Sequence, residues 1–295
     1  MQKVKKLKKS NFSPAVKKKS NNVKSMGRGR RKISTDLFIP SENLSSSAIL
    51  IHGREGIGKT TLINQFGKIH YFMFERNTSF ALYQDLIPTW EDFLDLKDDL
   101  IEGNYDRDGI SLDGPKIAYD QVMSYACSKY GFSHPGKMND MGDSWNKVRH
   151  EFVNPLREII NSRFGFLVSC HTVEKEVTKI DGFTYKMFAP DLQKAAYELL
   201  VGEFDNVFYY FFEDGQRWLQ IVPDEHIVAK NRMDGHFLTK EGEKIFKIPM
   251  GESKEEAYKN LMRAFNNKQK NSYKPKPKKD LKKLKKTKGS SNSDE

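Results

Sequence analysis

The chain has 295 residues, with 50 Lys and Arg against 39 Asp and Glu, a net charge of +11 and a mean hydropathy of −0.70, which fits one moderate domain or one domain with long tails. No apolar run approaches the ~18 residues of a membrane span, and the basic start lacks the apolar stretch of a secretory signal, so membrane and secreted classes are not expected. Cys127 and Cys170 form no CxxC pattern, which excludes a disulfide framework and favours the cytoplasm, with both thiols buried as small apolar groups.

Residues 1–32 hold thirteen Lys or Arg and no acid, and residues 268–295 hold eleven Lys and three acids, so the body between them is net acidic. The spans 1–33 and 268–295 have almost nothing apolar to bury and read as disordered basic tails. Such Lys/Arg runs attract polyanions, nucleic acid first, although solubility alone is a plainer explanation. Residues 34–267 remain as one domain. Within it, 47–52 (SAILIH) reads as a buried strand, and 59–66 as a helix that ends at Gly67. Residues 70–75 (HYFMFE) form a second strand. A helix then opens at Thr89, whose hydroxyl caps it with Asp92 as box partner, and stops at Gly103. Residues 109–113 (GISLD) are a short strand ending in an acid, and 117–130 a helix. Residues 143–163 are a long amphipathic helix with Pro155 placed to kink it. Residues 164–171 (FGFLVSCH) are a buried strand and 191–201 a helix. Residues 206–223 form a hairpin turning at Asp214 and Gly215, and 252–266 a last helix. Phe208, Tyr209, Tyr210, Phe211 and Phe212 read as core rather than as a base-stacking platform.

This alternation predicts an α/β fold, with a mainly parallel wound sheet, helices on both faces and a hairpin toward the C-terminal side. Ligands of such sheets sit at the carboxyl ends of the strands. Gly53, Glu75, Asp113 and His171 all fall at those ends.

The segment Gly53-Arg54-Glu55-Gly56-Ile57-Gly58-Lys59-Thr60-Thr61 satisfies GxxxxGK[ST] between a strand and a helix, the context that a phosphate-binding loop requires. Its glycines let backbone N–H groups turn toward phosphate oxygens, and the helix start adds positive partial charge. Lys59 is suited to the β- and γ-phosphates, and the Thr60 hydroxyl to Mg²⁺. Asp113 is the candidate for the acid on the Mg²⁺ side, with a turn Asp as the plainer alternative and Asp120 as a rival inside a helix. Glu75, expected at the end of the strand beside the loop's own strand, is the candidate for orienting or activating water; a surface acid is its alternative. His171 is a candidate γ-phosphate sensor or a structural histidine. Lys230 and Arg232 are candidates for neutralising charge on their own or a neighbouring subunit, or belong to a solvated loop. Zinc-protease, GxSxG and His/Cys metal-site patterns are absent from the sequence.

The order GREGIGKTT, YFMFE, PTWEDFLDL, ISLD, FLVSCH, hairpin, AKNRMD resembles the phage-type RecA-like ATPases of the AAA/P-loop superfamily, which include single-strand annealing recombination proteins. The resemblance covers roughly 45–235, and only the loop is individually specific. It implies ATP as the nucleotide, with Mg²⁺. It also matches Glu75 to the water-activating acid, Asp113 to the Mg²⁺-side acid and His171 to the sensor. Two departures stand out. Phe74-Glu75-Arg76-Asn77 replaces an acidic, Gly-containing stretch, and Gly114-Pro115-Lys116 replaces a second acid after Asp113. Weak or nucleic-acid-dependent hydrolysis fits both.

The resulting expectation is an ATPase of a phage, acting on single-stranded DNA in recombination or repair in the host cytoplasm, with possible homo-oligomers. The tails and the stretches 131–142 and 172–186 are the expected DNA contacts. A nucleotide-gated assembly factor for replication or packaging, with little turnover, is the second reading. A small-molecule kinase is third, disfavoured because no Arg-rich lid is present.

Overall fold

The apolar run around Leu50 forms β1 (Ala48–Gly53), buried along its whole length, as a central strand covered on both faces must be. The structure, a computed structural model, describes residues 43–76 and 81–274; the tail 1–33 and the segment 275–295 lie outside the described residues. After β1 come α1 (Lys59–Ile63), β2 (Ile69–Met73), β3 (Tyr83–Leu86), α2 (Trp90–Glu102), β4 (Gly109–Asp113), α3 (Pro115–Tyr130), α4 (Asp143–Ile160) and β5 (Gly165–Cys170). There follow β6 (Thr172–Thr178), β7 (Thr184–Pro190), α5 (Lys194–Glu203), β8 (Asn206–Glu213), β9 (Gln216–Gln220), β10 (Lys230–Asn231), β11 (Lys247–Pro249) and α6 (Lys254–Phe265).

One sheet runs in the order β11-β9-β8-β1-β5-β4-β2-β3, with β10 on β8. Every pairing from β8 across to β3 is parallel, and β9, β10 and β11 add antiparallel. This is the mainly parallel α/β arrangement that the motif order predicts. One neighbour relation differs. Glu75 does not follow a strand beside β1: β5 and β8 flank β1, and β2 pairs with β3 and β4. A crossover that skips a place leaves no trace in the order of motifs.

The side chains of β1 alternate between two cores. Leu50 joins a cluster with α2 to α5 (Phe93, Val122, Phe152, Leu199), and Ile49 and Ile51 join one with α1 and α6 (Leu62, Leu261, Phe265). Helices therefore cover both faces, more heavily on one. Thr89 caps α2, its side chain accepting from the Asp92 N–H. Helix α4 runs through Pro155 to Ile160. α1 ends earlier than expected, because Gln65 and Phe66 donate three residues back, to Leu62 and Ile63. At the β8–β9 turn Asp214 and Gly215 both have positive φ, 51° and 76°, the conformation whose twist suits a two-residue hairpin.

Two stretches are more ordered than the sequence implies. Residues 172–186, expected as a loop, form most of the antiparallel hairpin β6–β7, a second sheet. Residues 268–274, read with the tail, pack on the body: Gln269 is buried and donates to the Lys247 carbonyl at 3.3 Å, and Tyr273 lies edge-on to Trp218 at 5.0 Å.

His52 ties these parts to the phosphate loop. Fully buried on β1 beside Gly53, it stacks on Tyr209 at 5.0 Å. Its Nε2 lies 2.7 Å from the Val228 carbonyl, which can only accept, so Nε2 carries the proton and Nδ1 accepts from the Thr172 hydroxyl at 2.9 Å. Burial lowers its pKa to about 4, with Lys59 adding to the fall and the Val228 bond opposing it. The unfolded chain therefore binds the proton more readily than the native one. Stability from this site is complete above the ordinary pKa near 6.5 and falls as pH drops toward 4, by about 3 kcal/mol in all. Urea unfolding at pH 7, 5.5 and 4 is expected to show this decline, and a His52→Gln variant a flatter profile; equal slopes in the two proteins would remove His52 as its source.

Candidate functional site

The loop between β1 and α1 is shaped by its glycines. A Cβ on Gly53 would stand 2.4 Å from the Tyr210 carbonyl oxygen of β8, so the strand can pass β8 this closely only without a side chain. Gly58 takes φ +104° as the N-cap of α1, a left-handed turn that aims the first helical N–H groups into the loop. Ile57 is buried and anchors the loop from below.

Lys59 is 9% exposed, and its Nζ donates to the Gly53 and Arg54 carbonyls, each at 3.0 Å. Burial pulls its pKa below the ordinary lysine range, and Cys170, Asp113, Glu55 and Glu75 pull it back up. An ammonium held by neutral carbonyls in a partly desolvated place gains when a phosphate anion arrives.

Asp113 ends β4 one strand beyond β5. Its Oδ2 accepts from the Thr60 hydroxyl at 3.2 Å and its Oδ1 from the Ser169 hydroxyl at 2.7 Å. Asp113 and Ser169 stand opposite each other in the β4–β5 register. Thr60 and Asp113 thus present two hard oxygen donors within one hydrogen bond of each other, and the pair fits Mg²⁺, which takes few protein ligands and completes its shell with water and phosphate oxygens. Among the described residues no group of three or more His, Cys, Asp or Glu could hold a metal ion.

A cleft of about 480 Å³ opens over these groups. Glu55, Gly56, Gly58, Lys59, Thr60 and Thr61 line it from the loop side, and Glu75, Asp113 and His171 from the strand ends. Glu75 follows β2 by two residues and is exposed. His171 stands at the end of β5 with Nε2 3.9 Å from Glu55 Oε1. The structure therefore brings together the expected loop residues and all three expected strand-end groups.

Arg232 is not among them. It follows β10, which pairs with the starting residues of β8, whereas the loop lies beside the finishing ones. Its Nη2 donates to the Gly202 carbonyl at 3.0 Å. Within one subunit Arg232 is at the wrong end of the sheet to reach the cleft. Burial lowers the Lys230 pKa to about 8, aided by Arg232, and its Nζ is bound to the Val201 and Gly202 carbonyls. Besides Lys59, the cations that line the cleft are Arg76 and Lys116, the latter paired with Asp191 at 2.8 Å. Asp120 accepts from Gln193 on α3's flank, outside the cleft lining. Sequence reading missed Ser169, Cys170, Arg76 and Lys116. Ser169 was accessible in principle, as a polar residue in a buried strand one place before the end. Arg76 comes directly after Glu75, and Lys116 three residues after Asp113. Cys170 is buried as expected, yet it also borders the cleft, and burial raises its pKa.

A phosphate loop between strand and helix, at the carboxyl edge of a parallel sheet with an oxygen-donor pair beside it, defines a P-loop nucleoside-triphosphatase fold. The chain belongs to the AAA domain family, whose model matches residues 45–233. No curated protein matches it. Among solved structures it is similar to a KaiC-like protein of Pyrococcus horikoshii OT3, at 10% identity over 71% of this chain and 87% of that one, with a TM-score of 0.38. Among the described residues no helix is long and apolar enough to cross a membrane.

Proposed function

We propose that this protein binds ATP with Mg²⁺ in the cleft over Lys59 and hydrolyses it while acting on single-stranded DNA, in phage recombination or repair in the host cytoplasm. The observation that carries the nucleotide reading is the bond from the Thr60 hydroxyl to Asp113, 3.2 Å long, beside a Lys59 held on the loop's own carbonyls. Lys59 moves from those carbonyls to the β- and γ-phosphate oxygens. Thr60 and Asp113 would hold the cation, and Ser169 keeps Asp113 in orientation. Bound Mg²⁺ would neutralise charge on the phosphate oxygens. Glu75 takes a proton from the attacking water as its oxygen bonds to the γ-phosphorus; the bond from that phosphorus to the β–γ bridging oxygen breaks, giving ADP and inorganic phosphate. His171, at the strand-end side of the cleft, senses whether the γ-phosphate is present.

Support for the nucleic-acid partner lies in the basic tails. The β6–β7 hairpin begins at the residue after His171 and has exposed Ile180 and Phe183 at its tip, while its Lys175, Lys179 and Lys186 are matched by Glu174, Glu176 and Asp181, with Lys179 paired to Glu225 and Lys186 to Glu174. Nucleotide state at His171 and the orientation of the hairpin are thereby joined through one peptide bond and the His52–Thr172 hydrogen bond. In an oligomer, Arg232 at the opposite end of the sheet would serve a neighbour's cleft, not its own.

Binding of a labelled single-stranded oligonucleotide is expected to weaken steeply with salt, at least tenfold between 50 and 200 mM, as phosphate contacts by Lys and Arg require. Removing residues 1–32 should lower that affinity and leave ATP binding unchanged. Salt-insensitive DNA binding would sink the electrostatic part of the proposal. Loss of ATP binding on truncation would show that the tail belongs to the nucleotide-binding unit. DNA binding that depends on ATP without turnover would favour the nucleotide-gated assembly factor.

A further inference from the structure

The loop that carries Lys59 has two sides, and the cleft already described occupies only one. On the other, Gly56, Gly58 and Thr61 border a second recess of about 200 Å³. Its far wall is Tyr210 of β8, Arg217 of β9 and the residues around Ser253 at the start of α6. The same three loop residues thus stand between two recesses.

The sheet order sets the direction of a ligand across that loop. Asp113 and Glu75 follow β4 and β2, on the β5 side of β1, so the terminal phosphate and the cation belong there. β8 and β9 lie on the other side of β1. A triphosphate laid along the loop with its γ end at Lys59 has its α end, and whatever is attached to it, directed toward β8. Resting on the nucleotide reading above, we infer that this second recess holds the nucleoside. It follows that the stretch 252–254, which lies beyond the residues matching the AAA domain, is part of the nucleotide site.

The chemistry of the recess fits a base and a sugar. Tyr210 of that wall is 3% exposed, with ring Cε1 4.0 Å from where a Gly58 Cβ would lie. Arg217 offers a flat guanidinium fixed on two sides: its Nη1 donates to the Glu252 carbonyl at 3.1 Å, and its Cζ lies 5.2 Å from the centre of the Phe212 ring. The Arg54 guanidinium covers the same ring at 4.7 Å. A planar cation held this way stacks readily on a nucleobase. The exposed Glu252 carboxylate is an acceptor suited to ribose hydroxyls.

The test separates nucleoside from phosphate. The full chain, Arg217→Ala and Glu252→Ala are titrated calorimetrically with Mg²⁺ and either ATP or inorganic tripolyphosphate. The expected result is ATP affinity reduced about fivefold or more in both variants, the loss of a stacking or charge-assisted contact, with tripolyphosphate affinity unchanged. Glu252 is on the surface, so its variant stays informative if Arg217→Ala fails to fold. Unchanged ATP affinity in the folded variants, or equal losses for ATP and tripolyphosphate, would overturn the assignment. If the unaltered chain binds neither ligand, the phosphate loop itself is misread and the assignment falls with it. If it binds both equally, the loop stands and the nucleoside recess does not.

Discussion

Replacing Lys59 by alanine is expected to reduce ATP affinity by roughly a hundredfold or more, which is the loss of one or two charge-assisted bonds to phosphate at about 1.5–3 kcal/mol each. The side chain has no substitute in the cleft. Arg76 and Lys116 line the same opening, but Arg76 follows β2, two strands beyond β5, and Lys116 is engaged with Asp191. Folding should survive, since Lys59 itself borders the cleft and its truncation leaves space through which water can reach the two carbonyls it served. Calorimetric titration with ATP, alongside circular dichroism, checks both parts. An intact variant with unchanged ATP affinity would mean that the loop holds no phosphate.

Glu75→Gln separates binding from chemistry. The amide keeps the size of the side chain and its exposed place beside the cleft, but it cannot take a proton. ATP affinity should stay within about twofold, while turnover falls by about a hundred- to ten-thousandfold, the usual weight of a general base. Asp113→Asn should behave differently, because it removes the charge suited to a cation and leaves one acceptor oxygen for the Thr60 and Ser169 hydroxyls, and so weakens binding in the presence of Mg²⁺. If Glu75→Gln turns over normally, the water is activated by another group.

Much of the fold was legible because its signals are local. The β1 run, the capping by Thr89, the Asp214–Gly215 turn and the glycines of the phosphate loop each dictate backbone shape over a few residues. What was not legible is set by tertiary pairing. β3, with Tyr83 and Leu86 exposed, lacks the apolar signature of a strand and forms by adding to β2. β6 and β7 alternate weakly and carry lysines, so the hairpin reads as a polar loop. The aromatic run on β8 has the composition of core, and Phe208 and Tyr210 are core. Tyr209 and Phe211 face the opposite way, half-buried and stacked at 4.9 Å, and Phe212 is exposed.

The same division holds at the site. Lys59, Thr60 and Asp113 could be named because a spaced motif and a strand-end acid carry their own meaning. Glu75 lines the cleft, although its strand is not next to β1. Arg232 did not reach the cleft, because the short pairing of β10 with the start of β8 turns AKNRMD to the far end of the sheet. Nothing in that hexapeptide's composition encodes the direction.

The most direct measurement is ATP hydrolysis by the purified full chain with Mg²⁺, with and without single-stranded DNA, and with Lys59→Ala beside it. The expected result is turnover strongly raised by DNA and absent from the variant. Vigorous turnover that ignores DNA, or turnover that survives in the variant, would contradict the assignment of this cleft to a DNA-dependent ATPase.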